Sequence, residues 1–219
     1  QSLYYKEYDG PATNSGRSDG NDHEGYSSFF TNLKIHGLDV QAAYGSRAKG
    51  IPTGAWGTVF NDDRTKSTDT QGYIDVRYRR AFKDNQDLSV RVFYDYYRYD
   101  GKYLFDYPPL TMNRDLAVGK WWGTEAFYKT RIKDRHTVIA GLEYRDNLVQ
   151  QQKNYDDSPH AVYLDDDRGS YSLGAYAQGG YYHAFLREGG SPLDGGGAVL
   201  AAGVELKAAL APAFVLGLG

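Results

Sequence analysis

The chain has 219 residues, 26 of them glycine and 21 tyrosine, with no cysteine and a net charge of −3. The missing cysteines exclude a disulfide-stapled secreted domain and a thiolate metal site, and the near-neutral charge without a basic stripe excludes a nucleic-acid partner. A transmembrane helix is excluded as well: it needs about 20 predominantly apolar residues, and the uncharged stretch near the end, Ala208 to Gly219, has 12 and contains Pro212.

A membrane strand is a different matter, because it needs only about 9–11 residues with alternate positions facing lipid. Tyrosine favours pleated surfaces and glycine supplies turns and close approaches, so the composition suits a sheet or barrel. No signal peptide is visible, since Gln1-Ser2-Leu3-Tyr4-Tyr5 is already strand-like. A chain that starts at glutamine is expected to be processed or cut from something longer.

In chain order, Leu3 to Asp9 reads as a first strand, and Gly10 to Glu24, dense in Gly, Asp, Asn and Ser, as a long polar loop. Tyr26 to Ile35 and Leu38 to Tyr44 form a hairpin around His36-Gly37, followed by a second long loop, Gly45 to Ser67. The most regular stretch runs from Asp69 to Tyr99, within a hairpin that reaches about Phe105. Ile74, Val76, Tyr78 and Phe82 fall on one side and Asp75, Arg77 and Arg79 on the other; past Asp84-Asn85-Gln86 come Leu88, Val90, Val92, Tyr94 and Tyr96 against Ser89, Arg91 and Asp95. Such period-two alternation on each side of a tight turn is a β-hairpin signal.

After a third loop, Asp106 to Arg114, the form repeats from Trp121 to Asp146. Trp122, Ala126, Tyr128 and Ile132 alternate with Glu125, Lys129 and Arg131, and beyond Lys133-Asp134-Arg135, Val138, Ala140, Leu142 and Tyr144 alternate with Thr137, Glu143 and Arg145. Val149 to Arg168 reads as a fourth long loop and Tyr171 to Tyr182 as one more strand. From about Leu186 the tyrosines stop and Gly, Ala and Leu take over, with two weak strands at Val199 to Leu206 and Ala213 to Leu218. A foreign tail, a change of reading frame and a wrongly assigned segment all account for that shift. The division is therefore residues 1–185 as barrel strands with long loops and 186–219 as a distinct tail.

Short connections at Gly37, Asn85 and Asp134 alternate with long polar ones, the pattern of bacterial outer-membrane barrels with periplasmic turns and extracellular loops. The fold expected is all-β, an antiparallel transmembrane β-barrel with about 8–10 strands in this chain, whole or part of a larger barrel. The row Asp75, Arg77, Arg79, Arg91, Asp95, Glu125, Lys129, Arg131, Glu143 and Arg145 would line its lumen, although the same row would be the solvent face of a soluble sheet. Tyr94, Tyr96, Tyr97, Tyr99, Trp121 and Trp122 would form an aromatic girdle at the outer interface.

Sites for chemistry are sparse. The histidines His23, His36, His136, His160 and His183 lack ligand spacing, so no metal site is assigned. The aspartates at 62–63, 156–157 and 165–167 read as solvated loop charge rather than a Ca²⁺ site. Gly189-Gly190 and Gly195-Gly196-Gly197 do not link a strand to a helix, and neither Ser89 nor Ser172 has a nucleophile elbow. The chain is read as a non-enzyme with no catalytic residue, no cofactor and no assignable ligand contact.

Several stretches resemble the barrel of TonB-dependent outer-membrane receptors. They are Leu3-Tyr4-Tyr5-Lys6-Glu7-Tyr8-Asp9, Lys49-Gly50-Ile51-Pro52-Thr53 with Gly57-Thr58-Val59-Phe60-Asn61-Asp62, Tyr97-Arg98-Tyr99-Asp100-Gly101, Ala140-Gly141-Leu142-Glu143-Tyr144-Arg145-Asp146-Asn147, and Tyr163-Leu164-Asp165-Asp166-Asp167-Arg168 leading to Tyr176-Ala177-Gln178. The similarity covers about residues 1–180. It implies a piece of a roughly 22-stranded barrel in the bacterial outer membrane. Such barrels import nutrients such as ferric siderophores or cobalamin. The partners implied are outer-membrane lipid, a small nutrient ligand such as a metal chelate, and TonB only through a plug domain, of which this chain shows no segment. A self-contained small barrel acting as a passive pore, adhesin or structural protein is the alternative, and a soluble lipocalin-like binding barrel a third reading.

Overall fold

The computed structural model describes residues 2–82, 85–133, 136–182 and 197–206. It is all-β and antiparallel. Two short strands, β1 (Ser2–Tyr4) and β2 (Arg17–Asp19), pair with each other. The rest forms one sheet: β3 (Glu24–Ile35), β4 (Leu38–Gly50), β5 (Lys66–Phe82), β6 (Gln86–Asp106), β7 (Leu110–Ile132), β8 (His136–Asp156), β9 (Ala161–Tyr182) and β10 (Gly197–Leu206). Each of these strands pairs with its neighbours in sequence, from β3 at one edge to β10 at the other. The sheet is open: β3 and β10 are not paired with each other, so the expected closed barrel is not seen among the described residues.

The alternation read from sequence is the alternation of the sheet. Direct cross-strand partners align Leu33, Val40, Val76, Val92, Thr124, Tyr144 and Leu173 in a single row over seven strands. The next position along each strand belongs to the opposite face, where Asp39, Arg77, Arg91, Glu125 and Glu143 align in the same way. The His36-Gly37 turn is a two-residue hairpin with φ of 47° and 87°, the positive pair a tight right-twisted hairpin requires. A side chain at Gly37 would meet the Arg79 carbonyl at 2.3 Å, so glycine also lets this turn close against β5.

Three sequence expectations are corrected. Leu3 to Asp9 is not a barrel strand: β1 ends at Tyr4, and the chain turns through a 3-10 segment at Lys6–Tyr8 into a small sheet of its own. The third and fourth long loops are mostly strand. The β6–β7 connection is only residues 107–109 and the β8–β9 connection only 157–160. The fourth reads as a loop because residues 150–154 and 165–168 are polar on both faces, and the third because Pro108-Pro109 interrupts it. The second loop is real, spanning residues 51–65 between β4 and β5. Of the tail, Val199 to Leu206 lies within β10, which pairs in register with β9; Ala213 to Leu218 and the boundary at 185–186 lie outside the described residues.

The sheet has almost no core. Leu104 is the single fully buried large apolar side chain among the described residues, at 2 % exposure. Val92 and Leu142, in the middle of the apolar face, are 47 % and 60 % exposed. The buried part of the molecule is at the far end, where the 51–65 loop and the N-terminal segment meet β6. There Val59 N–H donates to the Leu104 carbonyl at 2.8 Å and Leu104 N–H to Thr65 Oγ1 at 3.2 Å. Tyr8 stacks on Phe60 at 4.2 Å, and Asn21 Nδ2 donates to Asn61 at 2.9 Å.

Candidate functional site

The charged face carries two hollows. The smaller, about 360 Å³, lies over β4, β5 and β6 and is lined by Asp39, Gln41, Tyr73, Asp75, Arg77, Arg91, Phe93 and Asp95. Every one of these residues belongs to the charged face by register. Arg91 organises the hollow: its Nε donates to Asp75 at 2.5 Å, its Nη1 lies 3.9 Å from Glu125, and its guanidinium sits 4.5 Å over the Phe93 ring. Arg77 pairs directly with Arg91 across the strands, and like charges directly opposite repel unless carboxylates flank them, as Asp75 and Glu125 do here.

The larger hollow, about 950 Å³, lies where β7, β8 and β9 bulge. A register shift between Lys120 and Trp121 and another between Asn147 and Gln150 leave Leu148 as an extra residue. Bulges bend a strand and re-aim its side chains. The result is a relay of polar groups. Arg145 Nε donates to Asn147 Oδ1 at 3.0 Å, Asn147 Nδ2 donates to Ser170 Oγ at 2.8 Å, and Ser170 Oγ donates to Gln150 Oε1 at 2.8 Å. The Arg145 guanidinium lies 4.9 Å over Trp121, which with Tyr97 supplies the aromatic side of the same hollow. Below it, Tyr176 lays its ring over Gly141, where an added side-chain carbon would meet the ring at 2.3 Å, and its hydroxyl reaches Glu125. Charge, amides and aromatic faces in one open hollow suit reversible binding of a small polar or anionic solute.

The structure divides the expected aromatic girdle. Tyr94, Tyr96 and Trp122 are on the apolar face, whereas Tyr97, Tyr99 and Trp121 are on the charged one. On the apolar face Trp122 meets Tyr144 edge-on at 5.6 Å and Tyr144 meets Tyr171 at 6.4 Å. Asn147, Gln150 and Ser170 had no sequence signal, since polar residues on both faces leave no alternation. Only their direct opposition to Trp121, Gly119 and Asn147 reveals them.

The weighed chemical candidates remain apart. Ser89 is buried between Arg79 and Phe127, and Ser172 pairs with Arg145, with no histidine beside either in the ladder. His36 is in a turn, His136 begins β8, and His160 Nδ1 is 3.0 Å from the Asp156 carbonyl at the opposite end; His183 lies outside the described residues. Among the described residues no three His, Cys, Asp or Glu converge on a metal position. The aspartates have cationic or amide partners instead: Asp62 with Arg64, Asp157 with Arg114, Asp165 with Lys153, and Asp156 with Asn113. No helix among the described residues is long and apolar enough to cross a membrane, which bears on helices alone. The chain matches no protein-family model, no curated protein and no solved structure.

Proposed function

We propose that this sheet is wall of a transmembrane β-barrel in the bacterial outer membrane, of the TonB-dependent receptor type, and that it takes part in uptake of a small nutrient such as a metal chelate. The observation that carries this reading is the height of the apolar band. On the apolar face it runs nine residues on β6, Leu88 to Tyr96, nine on β8, His136 to Tyr144, and eleven on β7, Trp122 to Ile132. A tilted strand needs about 9–11 residues to cross the hydrocarbon layer. The strands do not stop there: β6 continues ten residues to Asp106 and β8 twelve to Asp156, and on the same face these bear Arg98, Asp100, Lys102 and Lys153. An apolar band of bilayer height, topped by aromatic rings and then by charge, is the lipid-facing pattern of such barrels. Arg80, at the opposite rim of the band, lies over Phe82 and is placed to reach the headgroups.

In this reading outer-membrane lipid covers the apolar face, and the charged face with its two hollows lines the lumen. Lumenal Arg145, Asn147, Gln150 and Trp121 suit an anionic, many-oxygened chelate. TonB would act only through a plug domain, which these residues do not include. Free edges in lipid would leave backbone groups unpaired, so β3 and β10 require further strands or each other. The count of eight strands in one meander also favours a second reading, a self-contained small barrel serving as a passive pore, adhesin or structural protein, since eight is about the smallest number that closes.

The chain has no cysteine, so single-cysteine spin labels at 91, 92, 142 and 143 can be read cleanly in vesicles. The expected result is strong broadening by oxygen at 92 and 142 and by a water-soluble nickel chelate at 91 and 143. Equal accessibility to the nickel chelate at all four positions would overturn the membrane reading. Cysteine pairs along β3 and β10 that cross-link within one chain, with steady conductance, would select the small pore over the receptor.

A further inference from the structure

Above the aromatic rim the lipid-side face bears a cationic row. Lys66 on β5 pairs directly with Lys102 on β6, and Lys102 with Arg114 on β7. Like charges directly opposite across a ladder destabilise it. Arg114 is partly neutralised, with its Nε 2.8 Å from Asp157. Lys66 and Lys102 make no ion pair among the described residues. Both line a shallow hollow of about 170 Å³ together with Thr68, Thr70, Arg98 and Asp100. Three cations against one carboxylate leave that hollow an excess of two positive charges, and the Thr68 hydroxyl adds a donor, Thr70 Oγ1 being 3.0 Å from Ser46 Oγ.

We propose that this hollow binds the phosphates of an outer-leaflet glycolipid; the inference rests on the membrane reading of the band beneath it. Its height argues for that source of phosphate. Arg98 is two residues beyond Tyr96 and Lys102 six. At about 3.3 Å per residue and a strand tilt of about 40°, they stand roughly 5 and 15 Å above the aromatic rim. The headgroup layer of an ordinary phospholipid is only about 5–8 Å thick, so it would reach Arg98 and leave Lys66 and Lys102 unmet. A lipid whose phosphates are carried on sugars reaches both levels. Bound phosphate would remove the repulsion along the Lys66–Lys102 pair and fasten the projecting strands to the membrane surface.

The test uses the full chain in bilayer discs, with a diphosphorylated lipid A bearing inner-core sugars as probe and native mass spectrometry or lipid titration as readout. The Lys66→Gln/Lys102→Gln variant is expected to bind that probe roughly 10- to 30-fold more weakly, from about 1 kcal/mol per surface lysine. Lys66→Arg/Lys102→Arg restores binding, and Arg80→Gln, at the other rim, leaves it unchanged. Equal affinity of wild type and the glutamine variant, or equal binding of the dephosphorylated glycolipid, would overturn the proposal. Displacement of the glycolipid by millimolar inorganic phosphate would overturn it too, marking a solute site. Failure of the wild-type chain to enter bilayers either with or without the glycolipid would instead remove the barrel reading.

Discussion

The band of the sheet and the cap beyond it are built from the same kinds of residue and held by different means. In the band, Val92 and Leu142 stand about half exposed, and the strands are held to one another by backbone ladders and by surface side-chain pairs such as Arg91 with Asp75 and Trp122 with Tyr144. In the cap, Leu104, Thr65, Pro52 and Ser18 are fully buried, and loop, N-terminal segment and strand exchange hydrogen bonds across tens of residues. The cap has the economy of a protein in water, where apolar surface is removed from solvent by protein. The band leaves its apolar surface for something else to cover. A sheet whose apolar and charged faces are separated this completely, without a second layer, is an incomplete object in water, because layered domains bury that face against another element.

The largest effect that separates the two regions is expected from Leu104→Ala. Shortening a fully buried leucine costs about 2–5 kcal/mol when its surroundings cannot collapse. Thr65 and the Val59 backbone hold the position from two sides, so collapse is restricted. Amide exchange at Ile51, Val59 and Asn61 should accelerate roughly a hundredfold or more, while amides between Leu88 and Tyr94 keep their protection. Equal loss in both places would mean that cap and band open as one unit, and the contrast would fail.

A slightly smaller effect tests the band from its own side. Val92 and Val162 have similar exposure, 47 % and 57 %, but Val92 is mid-band and Val162 lies on the projecting part of β9. If exposure to water were the whole account, arginine would be tolerated equally at either. In a bilayer, arginine at the midplane costs about 2–4 kcal/mol and close to nothing beyond the interface. Val92→Arg is therefore expected to fold into vesicles with reduced stability and Val162→Arg to match the wild type, read by urea titration of the inserted chain. Identical titrations for both would break the assignment of the band to lipid.

The two regions also differ in how legible they were. Which residues of a strand share a face was readable from period two alone: Val90, Val92 and Tyr94 against Ser89, Arg91 and Asp95 follow from counting, whereas the partners Val76 of Val92 and Glu125 of Arg91 do not. The projecting part of β6 was readable to about Phe105, whereas those of β8 and β9 were not, because residues 150–154 and 165–168 are polar on both faces. The cap was illegible for another reason. Its contacts join residues about forty apart, Tyr8 with Gly54 and Asn21 with Asn61, and no local pattern encodes a partner at that separation. The larger hollow shares this fate, since a bulge of one residue at Leu148 decides which amides face it.

The smallest effect concerns the acid side of the cap. Asp62 accepts two bonds from the Arg64 guanidinium, at 2.8 and 2.6 Å, and one from the Arg64 backbone N–H at 2.9 Å. The hydrogen-bonded guanidinium comes first among the causes that hold the Asp62 carboxyl below its ordinary value. A carboxylate depressed in the folded state contributes stability that is complete above its unfolded value near 3.9 and is lost as pH falls through the folded one. The pair is short-range but Arg64 is half exposed, so the contribution is about 0.5 kcal/mol, the scale of a surface ion pair. Cap protection measured at Asn61 should thus be flat from pH 7 to about 5 and decline below about 4. Asp62→Asn should lower the plateau slightly and remove this group's part of the decline, while the band, whose pairs sit on the other end of the sheet, keeps its own acid profile. A decline of unchanged size in Asp62→Asn would assign the acid sensitivity of the cap to other carboxylates, with Glu24, held low by Arg47, the first to replace.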